Sequence, residues 1–140
     1  METAAPRFDG QLVLAVFAHP DDESLACGGT LACLVDAGAR VVVMCATHGE
    51  LNGDRRGHDQ PIGQTRADEL CQAARELGVQ ELVILNHRDG HLRWGEVTNF
   101  NAELVLFMRT RRPAAVLTFD EDGLYWHPDH IGVFERVLTA

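Results

Sequence analysis

His19-Pro20-Asp21-Asp22-Glu23 packs one imidazole and three carboxylates into five residues, directly after an apolar run. Acids crowded beside a buried strand repel one another and resist burial unless a cation or hydrogen-bond donors compensate them. Much later in the chain, His127-Pro128-Asp129-His130 sets an imidazole on either side of a carboxylate. A borderline cation such as zinc accepts these donors, histidine nitrogen and carboxylate oxygen, at about 2.0–2.2 Å. His19 and Asp22 are three apart across a turn that Pro20 stiffens, so both side chains can point at one atom. A third ligand from the second cluster would complete a two-histidine, one-carboxylate set. Three protein ligands are the number that leaves a catalytic zinc a position for water, and the cation lowers the pKa of that water to about 7. Asp21, His127 and Asp129 then remain for other work. A neighbouring carboxylate can take the water's proton and hand it to a leaving amine. A histidine facing it can stabilise an oxyanion, and a carboxylate behind a histidine fixes its tautomer. Such a constellation hydrolyses an amide or an ester. Each cluster taken singly also fits an ordinary helix start, with acids near the positive end of the dipole and proline in the first turn.

What favours the metal is where the elements put both clusters. Continuous Val- and Leu-rich runs predict buried strands over Gln11–Ala18, Arg40–Thr47, Glu81–Leu85 and Ala114–Phe119. Helical spacing is found over Glu23–Ala37, Gln64–Leu77 and Val97–Arg112, and again from Pro128 to the end. Gly28-Gly29, inside the first helix, are expected to permit close packing. Gly49–Gly63, Asn86–Glu96 and Asp120–Trp126 read as loops. Strand and helix alternate four times, which predicts one α/β domain, a parallel sheet with helices on both faces. Every predicted strand leads, at its C-terminal end, into a polar cluster. Open parallel sheets bind ligands at that edge, and five of the seven histidines lie there.

Composition narrows the classes further. The 140 residues are 46% hydrophobic and 24% charged, as in a soluble globular protein. A net charge of −9 argues against nucleic acid and anionic membranes as partners. No apolar run could span a bilayer, and the first residues lack an apolar signal core, so a cytoplasmic protein is expected. Cys27, Cys33, Cys45 and Cys71 form no CxxC pair and are expected to be buried reduced thiols. A two-metal phosphoesterase is the alternative chemistry, but only one convincing ligand set is present and no Gly-rich phosphate cradle follows the first strand.

"AHPDDE" (Ala18 to Glu23) with "HPDH" (His127 to His130), supported by "THGE" (Thr47 to Glu50), "RADEL" (Arg66 to Leu70) before "LGV", and Asp89, resembles the PIG-L/LmbE-like family of zinc-dependent N-acetylglucosamine deacetylases. The resemblance implies a Rossmann-like fold and removal of acetyl from a small-molecule amino-sugar conjugate. It implies zinc, or another divalent metal such as Fe2+, on His19, Asp22 and His130. Asp21 would be the general base and then the acid, and His127 the oxyanion stabiliser, with Asp129 tuning it. Arg66 and Asp89 would hold sugar hydroxyls, with Glu50 a further contact. Read on their own, Arg66 fits a solvated first-turn helix residue and Asp89-Gly90 an ordinary turn. His48 and His58 are expected to be loop residues, while His87 and His91 flank Asp89 and could line the pocket. Family members continue past "HPDH" with further strands. This chain stops at Ala140, so a C-terminally shortened domain is expected, with an apolar sheet edge that invites pairing into a homo-oligomer. A catalytically impaired relic or interaction module of the same fold is the remaining alternative.

Overall fold

The computed structural model describes residues 8–51, 60–95 and 98–140. Its elements follow in the order β1 (Leu12–Phe17), α1 (Asp22–Asp36), β2 (Arg40–Cys45), α2 (Ile62–Glu76), β3 (Glu81–Ile84), α3 (Thr98–Arg111), β4 (Ala115–Leu117), a short turn α4 (Gly123–Trp126) and α5 (Pro128–Thr139). Most of the expected polar loop, His58 included, and the expected helix start at Val97 lie outside the described residues.

The four strands are parallel and lie in the order β3-β2-β1-β4. Each crossover between parallel strands is right-handed as a rule. The chain steps from β1 to β2 to β3 in one direction, which puts α1 and α2 on one face. It then returns to the other side of β1, which puts α3 on the opposite face. Packing agrees: α1 lies on β1 and β2, α2 on β3, and α5 on β1 and α3. β1 is therefore covered on both faces and paired on both edges, and its Leu-Val-Leu-Ala-Val-Phe run is buried throughout. β3 and β4, at the sheet edges, are only partly covered. The direction of travel reverses between β1 and β4. At such a switch point the loops diverge and leave a crevice at the carboxyl ends of the strands.

Four expectations change. α1 is not continuous, because Cys27 takes φ −151° and ψ 23°, a break beside the Gly28-Gly29 pair of the kind glycine permits. Close packing is not what this pair provides: a Cβ on Gly28 would meet Leu77 at an ordinary 3.7 Å, and one on Gly29 would meet open space. Of the four thiols, only Cys45, on a central strand, is buried, and burial first of all pushes its pKa up. Cys33 is exposed and Cys27 and Cys71 are half-buried, because α1 and α2 each turn one face to solvent. Asp120–Trp126 is not wholly a loop, since it ends in the α4 turn, inside which Leu124 and Tyr125 leave helical angles.

Close approach does matter at Gly132. A Cβ there would lie 2.7 Å from the backbone C and O of Leu92 and 2.8 Å from Cα of Arg93. α5 thus rests directly on the loop after β3. Alanine would gain about 0.5–1 kcal/mol as a better helix former, but overpacking against backbone costs about 1–3 kcal/mol. Gly132→Ala is expected to lower the urea unfolding midpoint, and a raised midpoint would show that α5 does not depend on this contact.

Candidate metal centre

The first cluster is shaped by its own backbone. β1 ends at Phe17, and the chain turns through His19 and Pro20 into α1. Asp21 sits in the left-handed region, φ 114°, which a non-glycine residue adopts at a cost of about 1–2 kcal/mol. Side chains of the same motif hold the turn. The His19 N–H donates to Asp22 Oδ2 at 2.8 Å, and the Asp21 N–H to Glu23 Oε2 at 3.1 Å. Glu23, 1% exposed, thus belongs to the helix start.

Neighbouring strands lock this turn in place. Thr47, after β2, donates its hydroxyl to the Ala18 carbonyl at 2.9 Å and accepts from the Gly49 N–H at 3.1 Å. Arg66, from the second turn of α2, reaches across and donates to the carbonyls of Gly49 and Pro20, and lies 3.0 Å from Asp21 Oδ2. Its guanidinium therefore clamps the loops after β1 and β2. Asp21 is more than half exposed and lines, with Arg66, Leu25 and Glu69, a cavity of about 330 Å3. Burial first of all raises its pKa, and Arg66 works in the opposite sense.

The second cluster opens α5. The His127 imidazole caps the helix, its Nδ1 accepting from the Asp129 N–H at 3.2 Å. That bond commits the Nδ1 lone pair, so a neutral His127 carries its proton on Nε2. Burial and then the neighbouring imidazoles of His130 and His19 lower its pKa, favouring that neutral form. His130 is fully buried, stacked on Phe119 with ring centroids 4.0 Å apart. Its Nδ1 lies 3.1 Å from the Gly123 carbonyl. A carbonyl can only accept, so Nδ1 bears a proton, and in the neutral ring the lone pair is on Nε2.

The test of whether a metal fits is the fate of that lone pair. His130 Nε2 is buried without a hydrogen-bond partner. It lies 3.2 Å from Asp22 Oδ1 without a hydrogen bond, and in the neutral ring that contact is acceptor against acceptor. A cation between them resolves the conflict. His19 converges on the same carboxylate, its Nδ1 3.4 Å from Asp22 Oδ2. The donor atoms of His19, Asp22 and His130 all lie within 4.8 Å of one another, and all three residues are buried. Two imidazole nitrogens and one carboxylate form a zinc-type donor set.

Charge points the same way. Burial works against a charged His19, yet hydrogen bonds to Asp129, Asp22 and Asp89 push its pKa up to about 11. Burial alone would raise the pKa of Asp22, but positive charge on the facing rings of His130 and His19 holds it well below the usual carboxylate range, and a cation bound by the neutral rings would serve the carboxylate in the same way. Three buried carboxylates, those of Asp22, Asp89 and Asp129, stand against the two buried imidazoles of His19 and His130, so negative groups are in excess there. A second grouping, His19 with Asp89 and Asp129, also brings donor atoms within 4.8 Å. It shares His19 with the first, so among the described residues no second independent metal set exists.

The remaining candidates divide. Asp129 turns its carboxylate to His19 Nε2 at 3.2 Å and to the N–H groups of Gly90 and Leu92, at 2.7 and 3.0 Å. It meets His127 through its backbone N–H, not through the side chain expected to tune that ring. Asp89 Oδ1 lies 3.0 Å from His19 Nε2, and Glu50 Oε1 accepts from the Asp89 N–H at 2.9 Å. His87 pairs with Glu103 at 2.6 Å and His48 with Asn86 at 3.0 Å, while His91 is exposed on the loop. Sequence reasoning missed Thr47, Phe119, Gly123 and Tyr125. The Tyr125 ring lies 5.9 Å from His127 and 5.3 Å from His130, and its place two residues before "HPDH" was the available signal.

Comparison with known proteins was made against this geometry. The family model described as PIG-L, GlcNAc-PI de-N-acetylase, matches residues 14–140. A 1D-myo-inositol 2-acetamido-2-deoxy-alpha-D-glucopyranoside deacetylase of Streptomyces scabiei is 37% identical over 158 residues, covering 94% of this chain and 48% of the relative. The N,N'-diacetylchitobiose deacetylase of Pyrococcus horikoshii superposes with a TM-score of 0.81 at 29% identity, covering 94% of this chain and 49% of the other. GalB, the 4-carboxy-2-hydroxymuconate hydratase of Pseudomonas putida KT2440, superposes with a TM-score of 0.80 at 22% identity, covering 92% of this chain and 55% of GalB, and shares the fold. The chain spans about half the length of the curated relatives it matches.

The Arg66 clamp can be tested by a double-mutant cycle. A Cβ on Gly49 would lie 2.0 Å from Arg66 Nη1, and Gly49 takes φ +63°. Gly49→Ala is expected to cost about 1–2 kcal/mol for the left-handed backbone, plus the displacement of the guanidinium. In an Arg66→Ala background only the backbone part remains, so urea midpoints of the four proteins should show a smaller loss. An equal loss in both backgrounds would exclude the clamp.

Proposed function

The chain belongs to the PIG-L family, whose model matches residues 14–140, and from that premise we propose that it removes the acetyl group from the amino nitrogen of an N-acetylglucosamine conjugate with the help of a divalent metal, zinc by preference. The observation that carries this reading is the convergence on Asp22 of two imidazole nitrogens, one buried and unpartnered, beside the half-exposed carboxylate of Asp21. The relatives support the substrate class. One is named for an inositol-linked 2-acetamido sugar and another for diacetylchitobiose, so the acetamido sugar is what their substrates share.

His19 Nδ1, Asp22 and His130 Nε2 would hold the metal. Bound there, it supplies Lewis acidity and a water of low pKa. Asp21, next in the chain to the ligand Asp22 and more than half exposed, takes a proton from the attacking water. The water oxygen bonds to the acetyl carbon, the C–N bond breaks, and Asp21 returns the proton to the departing amine. The products are acetate and the free amino sugar. His127 carries its proton on Nε2 and donates it as a hydrogen bond to the carbonyl oxygen as negative charge develops there. The Asp129 N–H, by occupying Nδ1, keeps the proton on the useful nitrogen. Phe119 and the Gly123 carbonyl hold His130 in register.

Metal analysis paired with amine release from N-acetylglucosaminyl-inositol, diacetylchitobiose and N-acetylglucosamine tests the reading. About one metal per chain is expected, and turnover of at least one substrate should be lost with chelator and regained with zinc. Asp21→Asn should keep its metal and lose about 100- to 10,000-fold in kcat. Unchanged turnover in that variant would remove Asp21 from the reaction. A fully loaded chain inactive on all three substrates would favour an impaired relic.

A further inference from the structure

We propose that Glu23 is a positioning residue for Asp21: it holds the strained turn that keeps the Asp21 carboxylate off its own helix and available to the reaction. The proposal rests on the reading of Asp21 as the group that carries the proton in deacetylation.

Asp21 stands at the N-cap of α1. An aspartate there ordinarily has extended backbone angles and folds its carboxylate onto the first N–H groups of the helix. Neither holds here. Asp21 takes φ 114° and ψ −26°, and its side chain makes no cap hydrogen bond. Its Oδ2 lies instead 3.0 Å from Arg66 Nη2, and the side chain is more than half exposed. A residue type well suited to capping is thus withheld from capping.

Glu23 is what withholds it. This acid is 1% exposed, so it meets no substrate itself and acts through its neighbours. Its Oε2 accepts from the Asp21 N–H at 3.1 Å, and its Oε1 from the Ser24 hydroxyl at 2.5 Å. On the other side of the same Cα, the Asp21 carbonyl accepts from the N–H groups of Ser24 and Leu25, at 3.1 and 3.0 Å. The backbone of Asp21 is therefore tied on both sides by bonds that do not use its carboxylate. A residue in a rarely populated conformation needs such over-determination to stay there.

Without the Glu23 acceptor the Asp21 N–H is released. Its φ can then return to the negative range, and the carboxylate can turn back onto the helix N–H groups, away from the reacting water. The ligand Asp22 is held separately, because its Oδ2 accepts from the His19 N–H at 2.8 Å. Loss of Glu23 should therefore separate proton transfer from metal binding. A general role at the helix start, through the dipole, would instead loosen Asp22 with the rest of the first turn.

Four proteins test this: the parent, Glu23→Met, Glu23→Gln and Glu23→Asp. Methionine fills the site without a carboxylate, glutamine keeps a carbonyl oxygen for the Asp21 N–H, and aspartate keeps the charge on a shorter stem. The measurements are zinc affinity by competition with a chromophoric indicator, kcat and KM at saturating zinc on whichever acetamido sugar the parent turns over, and hydrogen exchange of the Asp21 amide by NMR. Glu23→Met should lose about 10- to 100-fold in kcat, with KM and zinc affinity within about twofold of the parent. Its Asp21 amide should exchange about five- to tenfold faster, as for one lost hydrogen bond. Glu23→Gln should restore both kcat and slow exchange, and Glu23→Asp should not. Unchanged kcat in Glu23→Met, equal losses in the methionine and glutamine variants, or weakened zinc binding with kcat intact would each overturn the proposal. If Glu23→Met fails to fold, Glu23→Asp decides: parental kcat and exchange there overturn it, and loss of both supports it. If the parent binds zinc but turns over no substrate, the deacetylase reading fails, while exchange at Asp21 still decides whether Glu23 holds the turn.

Discussion

Asp22, Asp89 and Asp129 crowd three carboxylates around the ring of His19 in a space that solvent barely reaches. Burying that much negative charge is expensive unless it is paired and hydrogen-bonded. The surrounding structure does both. Backbone N–H groups from Leu51, Gly90 and Leu92 serve Asp89 and Asp129, the His19 N–H serves Asp22, and the imidazoles supply the rest. What this accounting leaves over is a His130 nitrogen without a hydrogen-bond partner, its lone pair in the neutral ring set against an oxygen of Asp22. A divalent cation satisfies both the surplus charge and the stranded lone pair, which is why the same geometry reads as a metal centre from either side.

The fold makes that crowding achievable. Parallel strands bring four loops to one edge, and the reversal in strand order between β1 and β4 leaves a crevice there. β1 carries the first cluster because it is the most constrained strand, paired on both edges and covered on both faces. α5 carries the second, fixed by Gly132 against the loop after β3 and by the His127 cap at its start. The strain at Asp21 and in the Leu124–Trp126 turn, where positive φ recurs, lies beside the candidate metal donors. Strain so placed persists only where surrounding contacts over-determine it. Arg66, Glu23 and the Gly123–His130 contact are those contacts.

The fold by itself does not choose the reaction. A hydratase and a sugar deacetylase superpose on this chain almost equally well. What separates the readings is the side chains at the edge: an exposed acid, a histidine whose Nδ1 is taken by a backbone N–H, and a three-residue candidate donor set. These lie within the half of the relatives' length that the chain spans.

How much of this was legible in the sequence follows from the range of the interactions. Continuous apolar runs and glycine stops gave the strands and helices to within a few residues, because those signals are local. The candidate metal donors were legible because His19 and Asp22 share one turn and His130 opens one helix, each cluster compact in sequence. The family resemblance then assigned roles by position. The partners of those residues were not legible. Asp89 meeting His19, the guanidinium of Arg66 on two carbonyls, and Asp129 turned toward His19 instead of His127 all join segments tens of residues apart. Composition and periodicity determined which residues stand at the sheet's edge. Only the tertiary structure decided which of them face one another, since hydrogen bonds between loops depend on how the strands are ordered, and no local pattern records that order.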